Sequence, residues 1–225
     1  MTGPAKTAAI LANKSLLVVA DLPKLKPEHI KAFDFGYKSI LFDNKLIIDL
    51  DAYYNIMEGF LGQVEVVVPK NLVNTDSSAF DIAINTNATR TRYRVYTNAI
   101  NEYFAYGSAA RISYNFYGGY TISGNVNYND LKIKGDNDVF ITGFNTPKWS
   151  FNAQLGNREI FKNFGFNIVW KWQDAYTWES PLATGRVPAF NTIDAQFSYK
   201  IPAIKTSIKV GATNLLNYRY IQYAA

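Results

Sequence analysis

The stretch FNTIDAQFSYKIPAIKTSIKVGATNLLN, residues 190–217, decides the fold class. From Ile193 the apolar side chains fall on every second position (Ile193, Ala195, Phe197, Tyr199, Ile201), with Asp194, Gln196, Ser198 and Lys200 in the gaps, which is the two-residue period of a β-strand. After a reversal at Pro202-Ala203 the alternation resumes as Ile204, Thr206, Ile208, Val210 and Ala212 against Lys205, Ser207, Lys209, Gly211 and Thr213. The two runs form a hairpin with one greasy and one polar face. A soluble sandwich turns Lys, Glu and Thr toward bulk water, whereas most polar faces in this chain lean on Asn, Gln, Ser, Thr and Gly. Such faces suit a confined, wet interior. If the polar side lines a lumen, the apolar side meets lipid, as in the wall of an outer-membrane β-barrel.

Composition supports that reading. With 225 residues, 48% hydrophobic and 18% charged, the chain is long and apolar enough for one sizeable domain. Its 16 Tyr, 15 Phe and 4 Trp fit interfacial belts, where each Tyr or Trp ring offers one apolar and one wettable end. The absence of cysteine excludes disulfides, thiolate catalysis and Cys-ligated metals. A net charge of +5 comes from scattered Lys and Arg rather than a phosphate-tracking stripe, so no nucleic-acid partner is expected. No run approaches the ~18 apolar residues of a membrane-spanning helix, which leaves strands as the spanning element. Lys6 precedes only a short Ala8–Ala12 run that Asn13-Lys14 breaks, a poor secretory leader. The expectation is therefore a segment of a longer polypeptide.

Outward from the deciding hairpin, the same alternation recurs. Residues 1–29 read as an irregular lead-in with Pro23 and Pro27, and residues 30–225 as one barrel segment. Phe33, Phe35 and Tyr37 go out, the chain reverses at 42–45, and Leu46 to Ile56 return. Gly62 to Pro69 and Arg92 to Thr97 read as extended, separated by a polar loop from Lys70 to about Thr89. Ala110 to Phe116 and Tyr120 to Tyr128 flank Gly118-Gly119, whose residues supply the positive φ of a tight turn. After a loop from Lys132 to Pro147, Trp149 to Leu155 and Phe164 to Trp172 make a third hairpin with its turn at 157–162, and Gln173 to Ala189 is a third loop. Short turns at one end and long loops at the other are the pattern of an all-β, antiparallel up-and-down transmembrane barrel of about eight meander strands. Phe116, Tyr120, Trp149, Phe164 and Tyr199 fall at strand ends, where aromatic girdles lie.

The runs Phe35-Gly36-Tyr37-Lys38, Leu41-Phe42-Asp43-Asn44-Lys45-Leu46, Ser113-Tyr114-Asn115-Phe116 and especially Gly211-Ala212-Thr213-Asn214-Leu215-Leu216-Asn217 resemble the C-terminal barrel portion of TonB-dependent outer-membrane receptors, in which an Asn-Leu-Leu/Phe-Asn motif ends the penultimate strand. The resemblance implies a parent barrel of 22 strands with an N-terminal plug, located in the outer membrane of a Gram-negative-type envelope. It implies import of a scarce nutrient such as an iron chelate, a cobalamin or a glycan. The implied partners are outer-membrane lipid, the plug and remaining strands or a complementary chain, a small-molecule ligand, and an inner-membrane energising complex that acts through a short N-terminal box. The chain is expected to lack the plug, the box, the earlier strands and the final strand. A self-contained eight-stranded anchor or adhesin, and a soluble β-sandwich binding module, are the alternatives.

Catalysis is not expected, since His29 is the only histidine and sits in a Pro27-Glu28-His29 lead-in far from any nucleophile signature. Asp49 and Asp51 share a strand face and could act as an acid/base pair, but solvated wall carboxylates are the simpler reading. Gly135-Asp136-Asn137-Asp138 lacks the ordered spacing of a calcium loop and reads as a turn. Gly118-Gly119 is no phosphate cradle, because no Lys-Ser/Thr follows. No cofactor or metal site is expected. Ligand contact belongs to the long extracellular loops, with Tyr93, Tyr96, Tyr103, Tyr106, Trp178 and Arg186 as candidates because aromatic faces and Arg grip sugars and chelates.

Overall fold

The computed structural model describes residues 12, 22–70, 90–135, 138, 143–180 and 184–222. Most of the expected lead-in, and most of the loops around residues 80 and 140 including Asp136 and Asn137, lie outside them.

Eight strands form one antiparallel sheet. These are β1 (His29–Leu41), β2 (Leu46–Glu58), β5 (Glu102–Phe116), β6 (Tyr120–Lys134), β7 (Trp149–Phe161), β8 (Phe164–Gln173), β11 (Phe190–Ile201) and β12 (Thr206–Ala212). They neighbour one another in that order. Two further hairpins stand apart: β3 (Leu61–Pro69) with β4 (Arg90–Asn98), and β9 (Tyr176–Glu179) with β10 (Thr184–Val187). Both are inserted at the same end of the sheet, between β2 and β5 and between β8 and β11. Among the described residues β1 pairs only with β2 and β12 only with β11, so the sheet is an open wall. Among the described residues no second sheet packs on it to make a sandwich.

The turns at the opposite end are short because local chemistry makes them so. Phe42, Asp43 and Asn44 all take left-handed backbone angles, with φ of 54°, 52° and 65°, and Lys45 donates its N–H to the Phe42 carbonyl at 3.1 Å. Gly118 and Gly119 carry φ of 74° and 76°, which a Cβ would resist. Lys205 closes the last turn at φ 52° after Pro202.

Two expectations need correction. The turn placed at 157–162 is tighter: β7 continues to Phe161 with a register irregularity between Asn157 and Phe161, and the reversal is Lys162-Asn163, with Asn163 at φ 66°. The bulge breaks the alternation that would have shown the strand continuing. The loop expected from Gln173 to Ala189 contains the β9–β10 hairpin, whose four-residue strands are too short to display a period. By contrast the Gly62–Pro69 and Arg92–Thr97 runs pair directly, from Leu61↔Asn98 to Pro69↔Arg90.

Registers fix which residues share a face. One face carries Phe35↔Ala52, Leu50↔Ala110, Ala110↔Val126, Val126↔Phe151, Leu155↔Ile168, Ile168↔Ala195 and Phe197↔Val210. The other carries Asp49↔Arg111, Arg111↔Asn125, Asn125↔Asn152, Asn152↔Lys171 and Gln196↔Gly211. The apolar face is bare: Phe35 is 68% exposed and Val210 67%. Only four hydrophobic residues, Ala99, Tyr103, Ala105 and Val187, are buried among the described residues. A water-soluble domain of this size buries far more, and a sheet with so small a core gains its apolar stabilisation from lipid.

Candidate functional site

The functional object is the wall itself, and its chemistry begins with two aromatic chains on the apolar face. Near the short turns, Tyr114, Phe116 and Tyr120 stack in sequence with ring centroids 6.3 and 5.4 Å apart, and Phe166 meets Tyr120 edge-on at 6.3 Å. Near the long connections, Tyr54, Tyr106, Tyr128, Trp149, Phe151 and Trp172 form an unbroken series with centroids 4.7 to 6.3 Å apart. On the four central strands only small and aliphatic residues lie between them: Leu50 and Ala52 on β2, Ala110 and Ile112 on β5, Gly124 and Val126 on β6, Ala153 and Leu155 on β7, while Phe35 and Tyr37 on β1 and Trp170 on β8 stand at the same level. Along β6 the two belts are separated by the eight steps from Tyr120 to Tyr128, ~27 Å of strand at about 3.4 Å per residue, or roughly 20 Å across the membrane at the usual tilt. That is close to the ~25 Å apolar band of an outer-membrane barrel.

Charge resumes beyond the second belt. Lys148 pairs with Asp130 at 3.1 Å, Lys134 with Glu102 at 2.8 Å and Lys31 with Glu58 at 3.0 Å. Tyr106 and Tyr128 donate their hydroxyls to Asp130, and the Lys132 ammonium sits 5.6 Å from the Tyr106 ring centre. The belt is thus tied to a rim of paired charges at the level where headgroups would begin.

The polar face is built differently. A cavity of about 510 Å³ opens on it, lined by Asp49, Asp51, Arg111, Ser123, Asn125, Asn127, Asn152 and Gln154 among others. Asp49 faces Lys38 at 3.9 Å and is in register with Arg111. Lys171 and Asp194 pair at 2.6 Å. Asp49 and Asp51, which share a strand face, both line this wet wall. A signal the sequence reading passed over is Gly107: a Cβ there would stand 2.4 Å from the Tyr128 carbonyl oxygen and 2.6 Å from the Tyr53 ring. The Tyr53 ring lies over that glycine on the polar face, and its hydroxyl donates to Asn129 Oδ1 at 2.9 Å.

The Asn-Leu-Leu-Asn motif ends β12 through named bonds. Asn214 donates its backbone N–H to Asp194 Oδ1 at 2.8 Å, and its side chain donates to and accepts from the Tyr218 backbone. Leu215 N–H reaches the Ile193 carbonyl at 2.7 Å, and Asn217 N–H that of Asn214 at 2.8 Å. The chain then folds back so that Tyr220 stacks on Phe190, centroids 4.1 Å apart. Asp194 is therefore a junction of β8, β11 and the motif.

The six ligand-contact candidates are all at the long-connection end, but on strands. Tyr93 and Tyr96 lie on opposite faces of β4, both exposed. Trp178 and Arg186 occupy opposite faces of the β9–β10 hairpin, Trp178 opposite Gly185 and Arg186 opposite Thr177. On the Trp178 side, Tyr176 donates its hydroxyl to the Gln222 carbonyl at 2.7 Å, and its partial burial pushes its pKa up. Tyr103 is buried against Phe60 and donates to Asp138, whose carboxylate also accepts the backbone N–H groups of Ile100 and Asn101. Tyr106 belongs to the lipid-side belt. The structure therefore does not gather the six into one site. Among the described residues no cluster of His, Asp or Glu could hold a metal.

Comparison with known proteins agrees with this geometry. The family model for the TonB dependent receptor-like beta-barrel matches residues 4–215. A comparison with curated protein sequences finds no match. Among solved structures, the FrpB iron transporter from Neisseria meningitidis (F3-3 variant) is similar with a TM-score of 0.60 at 16% identity, over 90% of this chain and 28% of that one. The copper transporter OprC gives 0.62 at 15% identity, over 88% and 28%. The pyoverdine receptor FpvA from Pseudomonas aeruginosa PAO1 gives 0.60 at 14%, over 88% and 27%. The chain thus spans little more than a quarter of these neighbours. Aromatic belts on a bare apolar face, a wet opposite face and a family match over nearly the whole length lead to one statement: this chain belongs to the TonB-dependent receptor-like β-barrel family of the outer membrane.

Proposed function

We propose that the chain forms adjoining strands of the barrel wall of a nutrient receptor whose parent imports an iron chelate, a cobalamin or a glycan. The observation that carries this reading is the separation of belts and lumen: the eight-strand sheet turns its aromatic and aliphatic residues one way and its amides and charge pairs the other. The outer edges of β1 and β12, unpaired among the described residues, would cost several kcal/mol per unsatisfied group in hydrocarbon, so the wall needs further strands, from the same polypeptide or a complementary one. In this reading residues 30–225 are one wall unit, lipid contacts its outer face and a plug its inner face, and energy arrives from the inner membrane through a part of the receptor outside the wall. The wall carries out no catalysis. Tyr93, Tyr96, Trp178 and Arg186 are the ligand-contacting candidates of the outer hairpins, while Tyr103 and Tyr106 shape the wall beneath them.

The test is the size and place of the native polypeptide, probed with an antibody to the Lys132–Pro147 loop, together with uptake in cells with and without the energising complex. A band several times larger than 25.4 kDa in the outer membrane, with uptake lost when the energising complex is disabled, is the expected result. A 25.4 kDa membrane band would overturn it in favour of a small barrel, and a soluble band would favour a binding module.

A further inference from the structure

The short reversals of the sheet share a chemistry that strand pairing does not require. Each carries a large apolar side chain at or beside its tip, Phe42, Tyr117, Phe161 and Ile204, exposed from 64% at Ile204 to 96% at Tyr117. Lys45, Lys162 and Lys205 accompany Phe42, Phe161 and Ile204. These lysines are exposed and, among the described residues, have no ion-pair partner, and Asp43 is the only carboxylate within residues 42–45, 117–119, 161–163 and 202–205. At the opposite rim the lysines are matched by Asp130, Glu102 and Glu58.

The tips stay close to the lipid face. Phe116 and Tyr120 of the neighbouring belt flank Tyr117–Gly119 directly, and the Phe161 ring lies 6.4 Å from Phe164, which stacks on Phe197 at 5.8 Å. One to three residues past the belt is ~3–10 Å at about 3.4 Å per residue, and the headgroup layer is itself roughly 5–7 Å deep. The tips therefore stand among headgroups, with apolar surface continuous with the wall. The β7–β8 and β11–β12 reversals are also stitched together: Lys200 donates its N–H to the Asn163 carbonyl at 2.8 Å, and Glu159 accepts the Asn163 N–H at 3.1 Å and pairs with Lys200 at 3.8 Å. The nearby carboxylate is thus engaged, and Lys162 and Lys205 are left for an external anion.

We propose that this end of the wall docks an anionic phospholipid, Lys162 and Lys205 on neighbouring tips meeting the phosphodiester while Phe161 and Ile204 enter the layer beneath it. A zwitterionic lipid brings its own cation and gains less from unpaired lysines. A free phosphate ion would leave the apolar tips in water, and their continuity with the belt favours lipid over a soluble acidic protein. The proposal is independent of what the parent receptor imports.

The test incubates the full-length native polypeptide with equal amounts of phosphatidylglycerol and phosphatidylcholine of matched acyl chains and reads the retained lipid by native mass spectrometry. Phosphatidylglycerol is expected to be retained roughly fivefold over phosphatidylcholine, the scale of one lysine at an anionic headgroup. Joint Lys162→Gln and Lys205→Gln substitution is expected to bring the ratio to about one, whereas Lys134→Gln with Lys148→Gln, which removes the same charge at the opposite rim, leaves it unchanged. Retained heat-modifiable mobility shows that each barrel is intact. Equal retention of the two lipids by the unaltered protein, or equal loss of preference in both double variants, overturns the proposal. In cells, a photo-crosslinking side chain in place of Ile204 is expected to give a phospholipid adduct; adducts with protein alone would overturn the proposal in favour of a protein interface.

Discussion

The two faces of the wall are made from the same strands, one residue apart, yet they are held to different rules. Outward, Trp170 on β8 stands in register with Ala153 and Ile193, and its neighbours in the chain, Val169 and Lys171, point inward. The outer face tolerates no uncompensated charge between its belts and needs little shape complementarity, because lipid adapts to it. The inner face accepts charge readily but imposes geometry: Lys171 meets Asp194 at 2.6 Å, and Gly107 leaves no room for a methyl group beneath Tyr53. One face is selective by polarity, the other by fit.

The sharpest way to break the comparison is to place the same charge on both sides of one region. Ile168→Arg, at the lipid face midway along β8, is expected to destabilise the inserted wall by about 2–4 kcal/mol. Gln154→Arg, on the inner face of β7, is expected to change stability by less than ~0.5 kcal/mol. Equilibrium unfolding from detergent or bilayer reads both; equal costs would mean that polarity does not distinguish the faces, and a larger cost for Gln154→Arg that they are assigned the wrong way round. Next in size, Gly107→Ala forces the Tyr128 backbone and the Tyr53 ring apart and is expected to cost about 1–3 kcal/mol, although it adds a single methyl group. Asp194→Asn should cost ~1–3 kcal/mol by leaving Lys171 unpaired and weakening the Asn214 anchor, with proteolytic nicking after β12 as a local readout. Smaller than either, Tyr53→Phe removes the hydroxyl bond to Asn129 while keeping the ring over Gly107, for a loss of about 1 kcal/mol. A Tyr53→Phe effect equal to that of Gly107→Ala would shift the emphasis from fit to hydrogen bonding.

Much of this was legible before any coordinates. Alternation in residues 193–212 already assigned Phe197 and Val210 to one face and Ser198 and Lys209 to the other, and their registered pairing places them so. Girdle residues Phe116, Tyr120 and Trp149 were readable from their position at strand ends, and each takes part in a belt. The candidate ligand site was far less legible. Tyr103 and Tyr106 read alike as loop aromatics, but one is buried on Phe60 and tied to Asp138 and the other joins the outer belt, distinctions set by partners 35 and 24 residues away. The β9–β10 hairpin was hidden because four-residue strands carry no measurable period.

The sequence by itself determined the strands and their two faces, and favoured a membrane-spanning wall over a soluble sandwich, because a two-residue period with Asn- and Ser-rich gaps and aromatic ends suits a wet lumen on one side and lipid on the other, and the period acts locally through the pleat. Only the tertiary structure decided which strands neighbour across the long insertions, that Asp194 joins two strands to the terminal motif, and that Arg94 of β4 stands opposite Glu65 of β3. Those facts depend on registers between segments far apart in the chain, and a register is chosen by the sum of cross-strand contacts that no local stretch contains.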